Sequence, residues 1–470
     1  MAGERSIYQK LFAAGGASIV GQITSFVGVV LYANSVPSDI LGQYFLLISV
    51  VSVSSFLATA GISTNVTRRV GKQEESRQAI SAGLLLASLV AAFVIIALIG
   101  GSEIIESYLN RKPLALYVLI FPTTLAEFMG AVLRGEEKAD TVELVDTGRR
   151  ILMYAGGVIL VSTGQPAYES FTLAYFVGRT SQLSLLKLTS RYTLQVPSRT
   201  TTWEFFLESR YLYFSRFTGL GFEWIDTLLI GAFLSPAAVA AYEIVWRFSA
   251  FSNIGTNTTV SVFFPRFAAL QKEGNFEKLT HYVERAYFYA PVLIIPVCFG
   301  TLVVGSDLLG LVYGEEYRYV GSVLFVLFLG RYLYSLSRIS SSVLYSGGDD
   351  IYTSTIDGIS VVINAVGNLL MIPTFGIIGA AVATSLAYGV NSLGKGIRMN
   401  QNHTLRFPIR RTLRAVGGAV IMTLIVSQIG FEDSLVTLVA RILVGGAVFT
   451  GVILLLDVET RRDIRRIILG

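Results

Sequence analysis

The chain offers almost nothing to thiol or metal chemistry: one cysteine, Cys298, and two histidines, His281 and His403, in 470 residues. A disulfide within the chain is excluded, and the Cys/His set of a structural zinc cannot be assembled. The motifs GxxxxGK[ST], GxSxG and HExxH do not occur, and the GLG at 219–221 has Trp224 where a dinucleotide loop needs its third glycine. One Asp-Asp doublet, Asp349 and Asp350 in SGGDDIY, suits a turn and helix N-terminus better than a metal site. No enzymatic activity, cofactor or metal is expected. Charge is scarce too, at 15% of residues against 53% hydrophobic, with mean hydropathy +0.61. So little polar surface could not cover a soluble protein of this length, which places the chain in a membrane.

What is present is a succession of apolar runs. A helix needs about 20 such residues to cross the hydrocarbon. That ruler gives fourteen segments, near 11–34, 41–63, 79–100, 114–133, 150–164, 168–186, 211–233, 237–258, 286–305, 319–346, 353–372, 376–394, 413–430 and 434–456. The polar start MAGERSIYQK has no small-residue cleavage site after it at signal-peptide distance, so the first helix is read as retained. Lys and Arg test the count, because they favour cytoplasmic loops. Of 37, 28 fall at the two termini and in alternate loops, counting Arg150 and Arg414 at the segment edges with the loops they border, and only Arg111, Lys112 and Arg318 fall in the others. The fold expected is an all-α membrane protein of about fourteen spans in the cell membrane, both termini cytoplasmic. The pI near 9.1 then reflects topology, and no nucleic acid is expected as a partner. The glycosylation triplets at Asn65, Asn257 and Asn402 all fall toward the cytoplasmic side, so none should carry a glycan.

A weak internal repeat pairs VPSDILGQYFLL at 36–47 with LSPAAVAAYEIV at 234–245, each in the turn into an even-numbered segment. The offset of 198 residues maps segments 1–6 onto 7–12 in the same orientation. Three parts follow: an N-terminal lobe over 1–190, a second lobe over 191–400, and two further helices with a basic tail over 401–470.

Intramembrane ions form stripes at helical spacing. Segment 7 carries Arg216, Gly219, Glu223 and Asp226; segment 8 adds Glu243 and Arg247; segment 10 carries Arg331, Ser335, Arg338 and Ser342; segment 11 carries Asp357, Val361, Asn364 and Asn368. Such residues are costly in lipid and face a bundle interior or a wet cavity. Counting outward from the hairpin turns puts Arg247 opposite Glu223 and Asp226, Arg338 near Asp357, and Arg331 near Asn368. The first half is sparser, with Gln22, Glu127 and Arg179. Satisfied structural ion pairs are the competing reading for each stripe.

Several stretches resemble the polysaccharide-biosynthesis flippases, the Wzx-type branch of the multidrug/oligosaccharidyl-lipid/polysaccharide exporter superfamily. They are LGQYFLLISVVSVSSFLATAGISTNVTRRVGK at 41–72, IGAFLSPAAVAAYEIVWRF at 230–248, FFPRFAALQKEG at 263–274, LVYGEEYRYVG at 311–321 and NAVGNLLMIPTFGIIGAAVATSLAYG at 364–389. The resemblance implies two pseudo-symmetric six-helix lobes around a central cavity, with helices 13 and 14 beside them. It implies alternating access, with a lipid-linked oligosaccharide as substrate and its isoprenoid tail left in the membrane lipids. The cavity arginines that would hold phosphate are Arg247 first, then Arg216, Arg331 and Arg338, with Asn364, Asn368 and Gln22 as further lining groups. Asp226, Glu223, Glu243 and Asp357 would bind a coupling ion or neutralise those arginines. Tyr242, Tyr332 and Tyr334 could stack on sugar rings. The protein is expected as a monomer working beside glycosyltransferases or a polymerase of its pathway.

Two other functions compete. A cation-coupled multidrug exporter of the same superfamily would use Asp226 and Glu243 as its ion site. A membrane-embedded glycosyltransferase or ligase would need an external domain, and the longest external loop, about 101–113, is too small. The topology has a direct test. In a Cys298→Ser background, Gln165→Cys should react with an impermeant maleimide on intact cells, and Glu137→Cys only after permeabilisation; the reverse pattern would invert the orientation.

Overall fold

A computed structural model describes residues 2–73, 76–402, 407–430, 434–459 and 461–462; the side chains of 2–15, 17–18, 214–221 and 402 lie outside that description. The described residues form helices α1 (Ala2–Ala33), α2 (Ser38–Gly71), α3 (Ser76–Gly100), α4 (Ser102–Leu109), α5 (Leu114–Gly135), α6 (Ala139–Ser162), α7 (Ala167–Thr189) and α8 (Arg199–Phe233). There follow α9 (Pro236–Ala250), α10 (Asn253–Lys272), α11 (Phe276–Tyr289), α12 (Ile294–Tyr313), a 3-10 turn (Glu315–Val320), α13 (Gly321–Ser346), α14 (Asp350–Asn402), α15 (Ile409–Ser427) and α16 (Leu435–Leu456). Twelve of the fourteen predicted segments lie in helical stretches to within a few residues, whereas 237–258 is broken at 251–252 between α9 and α10 and 286–305 at 290–293 between α11 and α12. Several stretches, such as Ser38–Gly71 and Ser76–Gly100, are long and apolar enough to cross a membrane.

The departures have local causes. The expected external loop at 101–113 contains α4, a short amphipathic helix ended by Asn110 in the left-handed conformation. The fifth segment, read as 150–164, is a helix from Ala139, because its first turns are polar and escape a hydropathy ruler. Segments 11 and 12 are the arms of α14, bent at Gly376 (φ 60°), which glycine adopts without strain, three residues after Pro373. The repeat is visible in the helix starts: α2 begins at Ser38 and α9 at Pro236, the predicted offset apart.

The chain divides into two compact units, 1–243 and 244–470. In the first, α1, α6 and α7 pack together, and α2 lies against α3, α5 and α8. Tyr32 stacks on Phe171, centroids 3.7 Å apart, and its hydroxyl donates to the Met153 carbonyl at 2.8 Å. Phe128, Met129, Phe205 and Leu186 close a second core. The seam of α2 against α8 and the start of α9 is built differently along its length. At one end Arg68 and Arg69 grip Glu208, each at 2.8 Å, and Asn65 Nδ2 donates to Phe205 O and Ser209 Oγ, both at 3.2 Å. Asn65 is fully buried there and so cannot be a glycan acceptor in this fold. At the other end Tyr108 donates to Leu228 O at 2.8 Å, and Gly42 meets the Pro236 backbone so closely that a Cβ would overlap its carbonyl oxygen. Gly42 and Pro236 belong to the two repeat turns, which therefore touch.

In the second unit, α10, α11 and α13 share a core around Phe267, Leu279 and Ile339, and α12, α15 and α16 another around Ile295, Met422 and Phe449. α13 runs beside α14. Across the α14 bend, Asn364 Nδ2 donates to Thr384 Oγ1 at 3.0 Å. The close approach at Gly42 sets a test. Gly42→Ala should cost about 1–3 kcal/mol by overpacking and lower the melting temperature of the purified protein. Gly148→Ala, whose Cβ would meet no atom within 4 Å, should leave it unchanged or raise it.

Candidate functional site

Two of the predicted stripes come together in the second unit, with partners that hairpin counting did not identify. Arg331 on α13 is buried and turns to α9: its Nε donates to Ser249 Oγ at 3.1 Å and its guanidinium lies 4.1 Å over the Trp246 ring. The expected neighbour Asn368 is buried on α14, but the guanidinium is held by α9 instead. Thr256 on α10 donates to or accepts from Ser335 one turn along α13, at 2.9 Å.

The expected Arg338–Asp357 pair is likewise corrected. Asp357 Oδ1 receives Lys395 Nζ at 2.6 Å and Asn391 Nδ2 at 2.9 Å. Lys395 also donates to Ser341 Oγ at 2.8 Å, Ser337 Oγ bonds Asn391 Oδ1, and Asn391 reaches Ser360 Oγ at 3.0 Å. Counting from the α13–α14 turn compares only those two arms, whereas Lys395 arrives on the returning arm of α14, in a stretch read as loop. Arg338 is half-buried, and among the described residues its Nε meets no hydrogen-bond partner. Asp357 is thus one side of a structural ion pair.

In the first unit Asp226 and Glu243 are buried, at 4% and 2% exposure. Asp226 accepts from the Tyr242 hydroxyl, and Glu243 from Thr227 Oγ1 at 2.5 Å. Tyr242 is itself buried, which removes it as a sugar platform. Tyr334 packs against Tyr388 at 5.1 Å between centroids. Glu223 is exposed, Gln22 and Arg247 are half-buried, and the side chain of Arg216 lies outside the described residues.

The supposedly sparse first half holds a cluster of charges on α5, α6 and α7. Asp146 binds Arg149 Nε and Arg150 Nη2, each at 2.8 Å, and accepts from Gln182 Nε2 at 3.2 Å. Arg179 donates to Gln182 Oε1 at 3.0 Å and Tyr175 at 3.1 Å, with Glu127 3.8 Å away. Glu127 and Arg179 had been singled out, but Asp146, Arg149 and Arg150 were missed. Their i,i+3 and i,i+4 spacing in DTGRRIL was the available signal, obscured because the stretch read as loop.

An apolar groove of about 470 Å³ runs between α12, α15 and α16 in the second unit. Val297, Val304, Leu308, Met422 and Phe449 line it, with Phe248 of α9, the neighbour of Arg247, at its wall. Arg441 also borders it, pairing with Asp307 at 3.4 Å and with the Ile429 carbonyl.

Comparison with known proteins bears on both fold and site. A family model described as polysaccharide biosynthesis protein matches residues 37–321, and one described as lipid II flippase MurJ matches 223–449. A probable low-salt glycan biosynthesis flippase of Haloferax volcanii is 27% identical over 458 residues, covering 95% of this chain and 94% of its own. Among solved structures, lipid II flippase MurJ in an inward closed conformation superposes with a TM-score of 0.80 at 16% identity, over 96% of this chain and 99% of that one. An inward-facing multidrug resistance MATE family transporter of the MOP superfamily reaches 0.58 at 15% identity, over 82% and 98%. The fold is MurJ-like.

The Lys395–Asp357 pair has a measurable signature. Lys395→Met should destabilise the protein by about 3 kcal/mol or more, because it leaves a carboxylate in a site built for an ammonium. Adding Asp357→Asn should recover much of that loss in chemical unfolding of the detergent-solubilised protein. Additive losses would remove the pairing.

Proposed function

Because the chain belongs to the polysaccharide biosynthesis protein family, we propose that it flips a lipid-linked oligosaccharide across the cell membrane by alternating access, for surface polysaccharide or glycoprotein assembly. The observation that carries this reading is the apolar groove along α12, α15 and α16, whose wall includes Phe248, next in sequence to Arg247. A lipid-linked sugar has two incompatible parts. Its sugar-phosphate head cannot cross about 30 Å of hydrocarbon unaided, while its isoprenoid tail belongs there. A groove with an almost entirely apolar lining can seat part of the tail, and the polar residues of α9 and α13 can receive the head.

Within this reading Arg247 is the first phosphate ligand, since a forked guanidinium grips phosphate through two parallel hydrogen bonds. Arg331 already lies flat on Trp246, an arrangement that fixes its direction before substrate arrives. Arg338, with a free Nε among the described residues, is a third donor. Asn364 and Asn368 line the same helix, and Arg216 and Gln22 complete the set. Asp226 and Glu243, both buried, are the residues to bind a coupling cation; Glu223 is exposed and weaker in that role. Both termini are cytoplasmic, and the protein works as a monomer beside the glycosyltransferases of its pathway. A cation-coupled drug exporter is the weaker alternative, because the family match and the higher TM-score both lie on the polysaccharide and lipid-flippase side. A ligase is weaker still, since the external connection between α3 and α5 holds one eight-residue helix.

Arg247→Ala should abolish glycan export while protein level and melting temperature stay normal. Loss of folded protein in parallel would make Arg247 structural. Filling the groove with Gly446→Phe, where a side chain meets no neighbour within 4 Å, should lower export of the same glycan several-fold with folding intact.

A further inference from the structure

Within the first unit, three arginines lie at one depth. Arg149 and Arg150 on α6, Arg179 on α7 and Glu127 on α5 are each about 18–20 Å along their helix from its end at Ser162, Ala167 or Leu114, at 1.5 Å per residue. These helices have 24, 23 and 22 residues, so the layer sits just past their midpoints. Among the described residues Asp146 and Glu127 are the carboxylates that oppose these three guanidiniums, Arg134 adds its charge beside Glu127, and Glu127 stands 3.8 Å from Arg179, beyond hydrogen-bond distance. An inert network would be charge-neutral and fully hydrogen-bonded, since an excess charge at this depth is expensive.

The hydrogen bonds point the same way. Arg149 is nine-tenths buried, with 10% of its side chain exposed. Among the described residues only its Nε reaches an oxygen, that of Asp146; Nη1 faces the Met153 sulfur at 3.8 Å, a weak acceptor. A guanidinium buried with its terminal donors short of acceptors is costly unless something else supplies oxygens. Arg150, on the same turn, is more open, with 31% of its side chain exposed, and reaches Ser25 on α1 at 2.7 Å. Four helices thus bring donors together at mid-depth, where the arginines outnumber the two carboxylates among the described residues.

We propose that Arg149, Arg150 and Arg179 form an oxyanion site in the first unit, one that takes the phosphate or pyrophosphate group of an isoprenyl-linked substrate. It rests on the flipping reading above and adds a second place for the charged group, separate in sequence from Arg247 and Arg331. Forked donors from two helices suit a tetrahedral oxyanion better than a spherical halide. Glu127 and Asp146 keep the arginines apart and oriented.

The test is calorimetric titration of the full-length protein in nanodiscs with farnesyl pyrophosphate, inorganic pyrophosphate and farnesol. Arg149→Gln and Arg179→Gln should each weaken farnesyl pyrophosphate binding at least ten-fold, with Arg149→Lys restoring part of it and farnesol unaffected. Arg179→Gln, on a different helix, guards against a folding defect at Arg149, and melting temperatures identify any variant that fails to fold. Wild-type affinity in both Gln variants, with binding lost only in Arg247→Ala, would overturn the site and leave the flipping reading standing. Binding of inorganic pyrophosphate that both variants lose, with no response to farnesyl pyrophosphate, would retain an oxyanion site and refute the isoprenyl source. No binding of either anion by the parent protein would overturn the proposal.

Discussion

Everything in this fold is conditioned by the cost of removing an ion from water. A chain with so few charges nevertheless places many of them inside helices, and several come with a specific compensation. Lys395 takes Asp357 together with two serines; Arg331 takes Ser249 and the face of Trp246; Arg411 takes Asp457 at 2.9 Å and the face of Phe288 at 4.0 Å. Apolar packing would join helices with less penalty, so these groups are not retained for stability alone. They fix which helix faces which.

The seam of α2 against α8 and α9 shows how the same constraint distinguishes two ends of one contact. The end at Gly42 and Pro236 is backbone against backbone, with no room for a side chain, and closes by fit. The end at Arg68, Arg69 and Glu208 closes by charge. Hydrogen bonding from Arg69 and the positive charge of both arginines hold the Glu208 carboxyl below the ordinary carboxylate range. A depressed carboxyl contributes its stability above its unfolded value and loses it as pH falls, so this closure is intact at neutral pH. Glu208 is more than a third exposed, and water can replace each of its bonds at little cost. The two ends therefore differ in kind: the ionic one hydrates readily and the fitted one does not.

The sequence made the fold legible because the membrane imposes a length rule. About 20 apolar residues per crossing located most of the helices, and the Ser38–Pro236 offset matches the repeat. It failed where a helix is polar. DTGRRIL and the Lys395 stretch looked like loops by hydropathy, yet both are helix, and both carry the charges that organise their unit. Pairings were harder than spans. Hairpin counting assumes that a residue faces its sequential neighbour, whereas Arg331 looks to α9 and Asp357 to the returning arm of α14. Position along a helix was readable; direction around it was set by third helices that no local count includes.

That distinction separates the candidate residues by role. A charge with a close, saturating partner, as at Asp357 with Lys395, is committed to the fold, and substrate would have to break a buried pair to reach it. A charge held in direction but not saturated is different. Arg331 is fixed by an aromatic face and one hydroxyl, neither of which cancels its charge, and Arg149 is fixed by one carboxylate bond with its terminal donors on sulfur. Such groups have paid their orientational entropy in advance, so an arriving oxyanion gains their hydrogen bonds without ordering them first. For a carrier the balance matters, because a head bound too tightly would never leave.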